Sequence, residues 1–73
     1  MLSKRNKINY TIACVSEFAA KHEMDLKSAF QFLYKYKAIQ FIKENYDIEH
    51  TMSFDDAIED IRQICLKNGG TID

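Results

Sequence analysis

Apolar residues recur at helical spacing along most of the chain, and no segment alternates apolar and polar residues as a strand would. In the first segment, residues 4–21, the apolar positions follow at intervals of four, three and four: Ile8, Ile12, Val15 and Ala19. At about 100° per residue, this spacing places the side chains on one stripe of a helix. We therefore expect a first helix over 4–21 that buries this stripe.

The second segment, residues 25–36, has a wide apolar arc. Asp25 is a suitable N-cap, since its carboxylate can accept a hydrogen bond from the first turn. The centre of the arc, expected in the core, is formed by Leu26, Ala29, Phe30 and Leu33. Phe32 and Tyr36 lie beyond it on one side, four positions apart and hence adjacent on the helix surface. Because one neighbouring helix cannot cover so wide an arc, we predict that these two rings lie at the centre of a contact with another chain.

A third helix is predicted over residues 37–46, where apolar residues again recur at helical spacing. Because neither Gly nor Pro separates it from the second segment, one long kinked helix is the alternative. Residues 47–51 show no helical period, so we expect a loop there. The fourth helix is predicted over 53–68, with Ser53 as N-cap and the paired glycines after Asn68 as its stop signal.

Composition and length indicate one small folded domain. The 73 residues are 47% hydrophobic and 29% charged, with a formal net charge of −1, two glycines and no proline. These values exclude disordered, collagen-like and low-complexity classes. We predict a single all-α domain over residues 1–73, a compact bundle of about four helices with loose ends at 1–3 and 70–73.

The compartment is predicted from the start of the chain and from its cysteines. The first residues are charged and contain no apolar run typical of a secretory leader, so we expect a cytoplasmic protein. Thiols stay reduced there, and Cys14 and Cys65 are therefore expected as free thiols. No apolar stretch approaches the length of a membrane span, and no membrane association is predicted.

Two groups of side chains have the residue types of a metal site. Four acids open the last predicted helix, in pairs spaced to share one side: Asp55, Asp56, Glu59 and Asp60. Acids at a helix N-terminus also complement the helix dipole, and one helix supplies too few oxygen ligands for a cation. The cysteines and histidines match no zinc-ligand spacing: Cys14, His22, His50 and Cys65. We therefore predict no metal ion and no other cofactor.

His50 is the candidate for catalysis. It follows Asp47 and Glu49, and neighbouring carboxylates favour the charged imidazole, which could act as acid, base or metal ligand. The alternative is structural: the ring bonds a backbone carbonyl or a carboxylate and fixes the loop. No nucleophile or second base accompanies it in sequence, so we predict that the protein is not an enzyme.

The charge is unevenly distributed along the chain. Residues 1–45 hold eight Lys and Arg against four Asp and Glu, whereas residues 46–73 hold two against seven. A nucleic-acid surface could use the basic half: Lys4, Arg5, Lys7, Lys35, Lys37 and Lys43. The isoelectric point of about 6.1 and the near absence of Arg disfavour nucleic acid as a partner.

Several short pieces of the sequence occur in a distinctive order. They are Val15-Ser16-Glu17-Phe18-Ala19, Ala29-Phe30 with Leu33, Ile39 to Tyr46, Tyr46-Asp47-x-x-His50-Thr51, and Asp60-Ile61 before Gly69-Gly70. This order resembles the bacterial domain-of-unknown-function family number 3791 over nearly the whole chain, and its most specific piece is the string from Tyr46 to Thr51. The resemblance implies a small helical protein. Family members are often encoded beside other small proteins, including ADP-ribosyltransferase-like ones, which suggests an antitoxin-like or accessory role but assigns no residue a function.

The functional prediction rests on the aromatic residues. Nine Phe and Tyr are more than one small core readily hides, and protein interfaces favour them at their buried centres. The candidate interface residues are Phe32, Tyr34, Tyr36 and Phe41, and the candidate functional or structural loop comprises Tyr46, Asp47, His50 and Thr51. We predict a protein-interaction module that binds a second copy of itself or a neighbouring gene product. An enzyme or metal-binding site built on His50 with nearby carboxylates is the second interpretation, and nucleic-acid binding through the basic half is the third.

Overall fold

The computed structural model describes the backbone of residues 2–71 and the side chains of residues 6–71. Over this range the chain forms five helices: α1 (Leu2–Lys21), α2 (Leu26–Lys35), α3 (Ala38–Glu44), α4 (Tyr46–Glu49) and α5 (Phe54–Lys67). The described backbone contains no strand, and the predicted all-α bundle is confirmed. None of these helices combines the length and the apolar character that crossing a membrane requires.

Three helices, α2, α3 and α5, pack against the long helix α1, and α3 also contacts α2 and α5. The hydrophobic core between them is formed by Cys14, Val15, Phe18, Ala19, Ala29, Leu33, Ala38, Ile39, Ile42, Ala57, Ile58, Ile61 and Cys65. Although α3 has only seven residues, three of them are buried. This short helix therefore occupies the centre of the bundle.

The predicted N-caps of α2 and α5 are confirmed. A carboxylate oxygen of Asp25 accepts a hydrogen bond from the backbone N–H of Ser28 at 2.7 Å. The Ser53 hydroxyl oxygen accepts one from the backbone N–H of Asp56 at 3.2 Å. Each bond satisfies a donor that the first helical turn leaves unpaired, which explains why both helices begin where the sequence predicts.

Residues in the left-handed conformation follow α1, α2 and α5. At the end of α5, Gly69 has φ +96°, and the N–H of Gly70 donates to the carbonyl of Cys65 at 2.8 Å. This is the Schellman arrangement expected from paired glycines. Glu23 (φ +55°) and Lys37 (φ +69°) adopt the left-handed conformation without being glycine. Lys37 separates α2 from α3, so the alternative of one long kinked helix is wrong.

The buried faces of α1 and α2 differ from those predicted. Ile8 and Ile12 on α1 are exposed, as are Leu26 and Phe30 on α2, although all four were expected in the core. Val15 and Ala19 of the predicted stripe are buried, together with Thr11 and Phe18, which were expected to widen it on one side, and with Cys14. The centre of the buried face therefore lies about 60° from the predicted stripe. The buried face of α2 is displaced by a similar angle. Both helices carry more apolar positions than this small core covers, so one edge of each arc stays at the surface.

The region between α3 and α5 also differs from the prediction. The third helix was expected over 37–46 but covers Ala38–Glu44, and the loop expected over 47–51 contains the one-turn helix α4. The N–H of Glu49 donates to the carbonyl of Asn45 at 2.8 Å, and the Tyr10 hydroxyl donates to the carbonyl of Glu49 at 3.0 Å. A single turn has no periodicity to detect, and this one is fixed by a contact with α1.

The C-terminal end of α5 is tied to the end of α2. The Asn68 side-chain amide donates to the carbonyl of Tyr36 at 3.0 Å. Gly70 is buried, and a Cβ atom at this position would lie 2.7 Å from the Tyr36 ring. Of the ends predicted to be loose, position 70 is thus fixed by packing, and α1 already begins at Leu2. Met1 and residues 72–73 lie outside the described residues.

Candidate functional site

An open groove of about 720 Å³ lies between α1, α2 and α3. It is lined by Lys7, Ile8, Thr11, Ile12, Phe30, Tyr34, Ile39 and Lys43. A second hollow of about 360 Å³ continues it along α1 and α2 and shares Thr11, Ile12 and Phe30 with it. The second hollow adds Val15, Leu26 and Lys27. We refer to these eleven residues together as the apolar groove.

The walls of the apolar groove are large side chains in contact with solvent. Ile12 is 58% exposed, Phe30 46% and Tyr34 70%. The Phe30 and Tyr34 rings stack with their centroids 6.1 Å apart, so they form one continuous wall. Contiguous exposed apolar side chains are a feature of surfaces where a ligand or partner binds.

The floor of the apolar groove is closed and offers little hydrogen bonding. Val15 and Ile39 belong to the core and present only apolar atoms. The Thr11 hydroxyl donates to the carbonyl of Lys7 at 2.8 Å, within its own helix. Recognition inside the groove must therefore depend on apolar contact.

Every charged residue that lines the apolar groove is a lysine. Lys7 of α1, Lys27 of α2 and Lys43 of α3 are exposed and lie among its lining residues. None of the eleven lining residues is acidic. Side chains of one sign around an apolar cleft favour a ligand of the opposite sign.

A buried polar cluster lies on the other side of α1, where α4 and α5 meet it. Glu49 is only 4% exposed. Burial is the main reason that its pKa is raised to about 7, and the neighbouring Asp60 carboxyl raises it further. The neighbouring Tyr10 and Cys14 have raised pKa values as well, mainly because of burial. Burial thus disfavours the charged forms of all three groups, as expected for polar side chains that lie beside the core.

Aromatic rings cover this polar cluster. The Tyr10 ring meets that of Tyr46 edge-on at 5.6 Å between centroids and stacks with Phe54 at 5.9 Å. His50 stacks on Tyr46 at 4.4 Å. The four rings bridge α4, α1 and α5, and they hold the single turn of α4 in place.

The predicted loop residues form local bonds rather than a cleft. His50 Nδ1 donates to the carbonyl of Tyr46 at 2.6 Å, and the Thr51 hydroxyl donates to the carbonyl of Ile48 at 2.7 Å. Asp47 is exposed, whereas Glu49 points inward. The structure thus separates His50 from the buried carboxyl beside it in sequence, and none of these residues lines the apolar groove.

The predicted interface residues lie on different surfaces. Phe32, Tyr36 and Phe41 are half-buried and pack against the core, and Phe32 stacks with Phe18 at 6.0 Å. Tyr34 alone of the four is largely exposed, in the wall of the apolar groove. The exposed surface expected around Phe32 and Tyr36 is formed instead on the opposite edge of α2.

Asp60 of α5 lies beside Glu49 in the buried polar cluster, whereas the other acidic residues of α5 are exposed and make at most local contacts. Glu59 forms an ion pair with Arg62 at 2.8 Å, and hydrogen bonds from Arg62 and Gln63 lower its pKa to about 2. Asp55 is exposed, and Asp56 donates its N–H to the N-cap. Among the residues that the structure describes, no three His, Cys, Asp or Glu side chains are grouped to hold a metal ion.

The cysteines and His22 are packing residues. Cys14 and Cys65 are free thiols, as predicted, and burial raises the pKa of each to about 11. His22 packs on the Phe18 ring at 4.5 Å between centroids, and its partial burial lowers its pKa. These side chains lie on different helices or turns and form no common site.

Comparison with known families gives a match over residues 9–68 to the family described as "Protein of unknown function (DUF3791)". No curated protein and no solved structure matches the chain. The matched segment contains all of α2 to α5 and most of α1. It therefore includes the apolar groove except for Lys7 and Ile8.

Proposed function

The chain belongs to the DUF3791 family of proteins of unknown function, and we propose that it is a protein-interaction module whose binding surface is the apolar groove. The observation that carries this proposal is the row of exposed large apolar side chains along α1 and α2: Ile8, Ile12, Leu26, Phe30 and Tyr34. The family resemblance adds the expectation that the partner is the product of a neighbouring gene, as for an antitoxin-like or accessory protein.

The energy available at this surface supports binding. Removing apolar surface from water contributes about 25 cal/mol per Å², or roughly 1.5–3 kcal/mol for an Ile, Leu or Phe side chain that becomes fully buried. Four such side chains, each about half exposed, together with the largely exposed Tyr34, therefore offer several kcal/mol to a partner that covers them all. Phe and Tyr side chains in particular are typical of the energetic centres of interfaces.

The chemistry of the apolar groove favours binding over catalysis. Its polar groups are three lysines at the edge and one threonine whose hydroxyl is engaged within α1. A small-molecule or catalytic site requires convergent polar groups in the cavity. His50, the candidate catalytic residue, is bonded to the carbonyl of Tyr46 instead. Nucleic acid is likewise disfavoured, because large apolar side chains separate the lysines.

Site-specific photocrosslinking in the native cell tests this function. A photoreactive residue at position 12, in the apolar groove, should yield a discrete adduct with one protein. The matched control at Gln63, which is exposed on α5, should not. The captured protein is then identified, purified and titrated against the chain. Ile12→Asp should weaken its binding about tenfold or more, or 1.4 kcal/mol, whereas Gln63→Asp should not. Equal adducts from both positions, or none from position 12, would contradict the proposal.

A further inference from the structure

We propose that the occupant of the apolar groove is an acidic amphipathic helix of another protein, apolar along one face and bearing Asp and Glu along its flanks. This inference rests on the proposed function and specifies the class of partner. It is carried by the shape of the groove, by the sign of the charge at its edge, and by the location of the acidic side chains in this chain.

The shape of the apolar groove matches a helix. Its two long walls are themselves helices, and the exposed apolar residues on each are four positions apart: Ile8 and Ile12 on α1, and Leu26, Phe30 and Tyr34 on α2. Residues at this spacing form a ridge along a helix. The groove between the ridges of two adjacent helices can receive the ridge of a third helix. The lined stretch of α2, Leu26 to Tyr34, is about 12 Å long at 1.5 Å per residue. It accommodates about two turns of a partner helix, with anchors at positions i, i+4 and i+7.

The lysines at the edge of the apolar groove determine which charges a partner helix should carry on its flanks. Lys7, Lys27 and Lys43 come from three different helices and surround the apolar walls, with no carboxylate among the lining residues. A partner helix that places its apolar side chains in the apolar groove brings its flanking positions next to the ammonium groups of these lysines. Glutamate or aspartate there is attracted, and lysine or arginine is repelled.

A second copy of this chain does not have the required features. In a symmetric contact of the apolar groove with itself, the same lysines would meet each other. The acidic helix α5 of another copy carries exposed Asp55 and Asp56, but its apolar stripe is buried in its own core: Ala57, Ile58, Ile61 and Cys65. The exposed apolar residues of α5, Phe54 and Leu66, lie near its two ends and form no row along one face that could enter the groove. The partner is therefore a different protein.

Designed peptides test the inference with the whole chain. The first probe is an acidic amphipathic helix with leucines on one face and glutamates on its flanks. The second replaces every glutamate with lysine, and the third scrambles the acidic peptide so that no apolar face remains. Fluorescence anisotropy at low and high salt measures each affinity. The acidic helix should bind about tenfold or more tighter than the basic one at low salt, this preference should shrink at high salt, and the scrambled peptide should not bind.

Charge-reversed variants sharpen the test. The triple variant Lys7→Glu, Lys27→Glu, Lys43→Glu should prefer the basic helix. The matched control, Lys21→Glu, Lys37→Glu, Lys67→Glu, makes the same change of net charge at exposed positions outside the apolar groove and should keep the preference for the acidic helix. Circular dichroism confirms that each variant folds.

The outcomes separate this inference from the proposed function. Equal affinity for the acidic and basic helices, with no binding of the scrambled peptide, would overturn the acidic partner but leave a protein-binding groove. A dimer in sedimentation that Ile12→Asp dissociates would overturn the inference in favour of a second copy. If no peptide binds and the chain is a monomer, the inference fails, whereas the proposed function is judged separately by photocrosslinking in cells.

Discussion

Helix α2 carries large apolar side chains on two edges of its surface, and the structure packs one edge against the core and exposes the other. Phe32 and Tyr36 turn inward, with their ring centroids 4.9 Å apart and the Tyr36 ring resting on Gly70. Leu26, Phe30 and Tyr34 turn outward into the apolar groove. The difference lies in what covers each edge, because the end of α5 closes one and leaves the other open. Residue type alone does not distinguish a core ring from a binding ring.

The largest expected effect is a difference in stability between variants on the two edges of α2. Phe32→Ala should lower the free energy of unfolding by about 2–3 kcal/mol, since it removes a ring that packs on the core. Phe30→Ala should cost less than about 1 kcal/mol, because that ring is half exposed. Urea unfolding measures both variants. A larger loss for Phe30→Ala would mean that the two edges have been assigned the wrong way round.

The side of α1 that packs against α4 and α5, unlike the side that faces the apolar groove, should make the stability of the protein depend on pH. Glu49 has a pKa of about 7 in the folded protein against 4.5 for the free side chain. Between these values the folded state holds a proton that the unfolded state has released, so stability falls as pH rises from about 4.5 to 7. Glu49→Gln stays neutral, and it should abolish this decline and add on the order of 2 kcal/mol at pH 8.

Unfolding by urea at several pH values measures this effect. The matched control is Glu17→Gln, which changes an exposed carboxylate on α1 and should leave the decline unchanged. The ion-paired Glu59 contributes with the opposite sign, since its pKa is lowered to about 2 and its stabilisation is lost below about pH 4.5. If Glu49→Gln retains the full decline, then Glu49 is not the group that titrates.

A smaller effect tests whether Gly70 holds the inner edge of α2 in place. Gly70→Ala introduces a Cβ atom 2.7 Å from the Tyr36 ring and should lower stability by about 1–2 kcal/mol. The control Thr71→Ala changes the next, exposed residue and should be nearly neutral. In a double-mutant cycle, Tyr36→Ala should remove most of the cost of Gly70→Ala. Additive losses would show that the glycine is needed for another reason.

The smallest expected effects concern two turn residues, one before and one after α2. Glu23 and Lys37 have positive φ angles, which glycine adopts without steric cost. Replacing either with glycine should raise stability by about 0.5–1 kcal/mol, whereas Ser16→Gly within α1 should lower it by about 1 kcal/mol. Thermal unfolding measures all three variants. A loss at position 37 would indicate that its side chain makes contacts that outweigh the backbone strain.

Local signals in the sequence predict most of the helices. Asp25 and Ser53 cap the helices that they were expected to cap, and Gly69 ends α5. These features act within a few residues of the chain, so they can be recognised without knowing the fold. The end of α1 at Lys21 was also predicted. The boundary between α2 and α3 was less visible, because the left-handed residue there is Lys37 rather than glycine.

The position of the groove could not be predicted in the same way. It depends on how far α1 and α2 rotate about their axes, and contacts between distant residues set that rotation. Tyr36 meets Gly70, and the Tyr10 hydroxyl bonds the carbonyl of Glu49. The sequence did carry one useful signal, the wide apolar arc of α2, which indicated an exposed apolar surface but not which edge of α2 would form it.

Radical footprinting of the free chain and of its complex tests the central claim most directly. In the free protein, Leu26, Phe30 and Tyr34 should be labelled strongly, and Phe32 and Tyr36 weakly. In the complex with the protein captured through position 12, labelling of Phe30 and Tyr34 should fall to the level of Phe32. Strong labelling of Phe32 and Tyr36 in the free chain, or unchanged labelling of Phe30 and Tyr34 in the complex, would contradict the apolar groove as the binding surface.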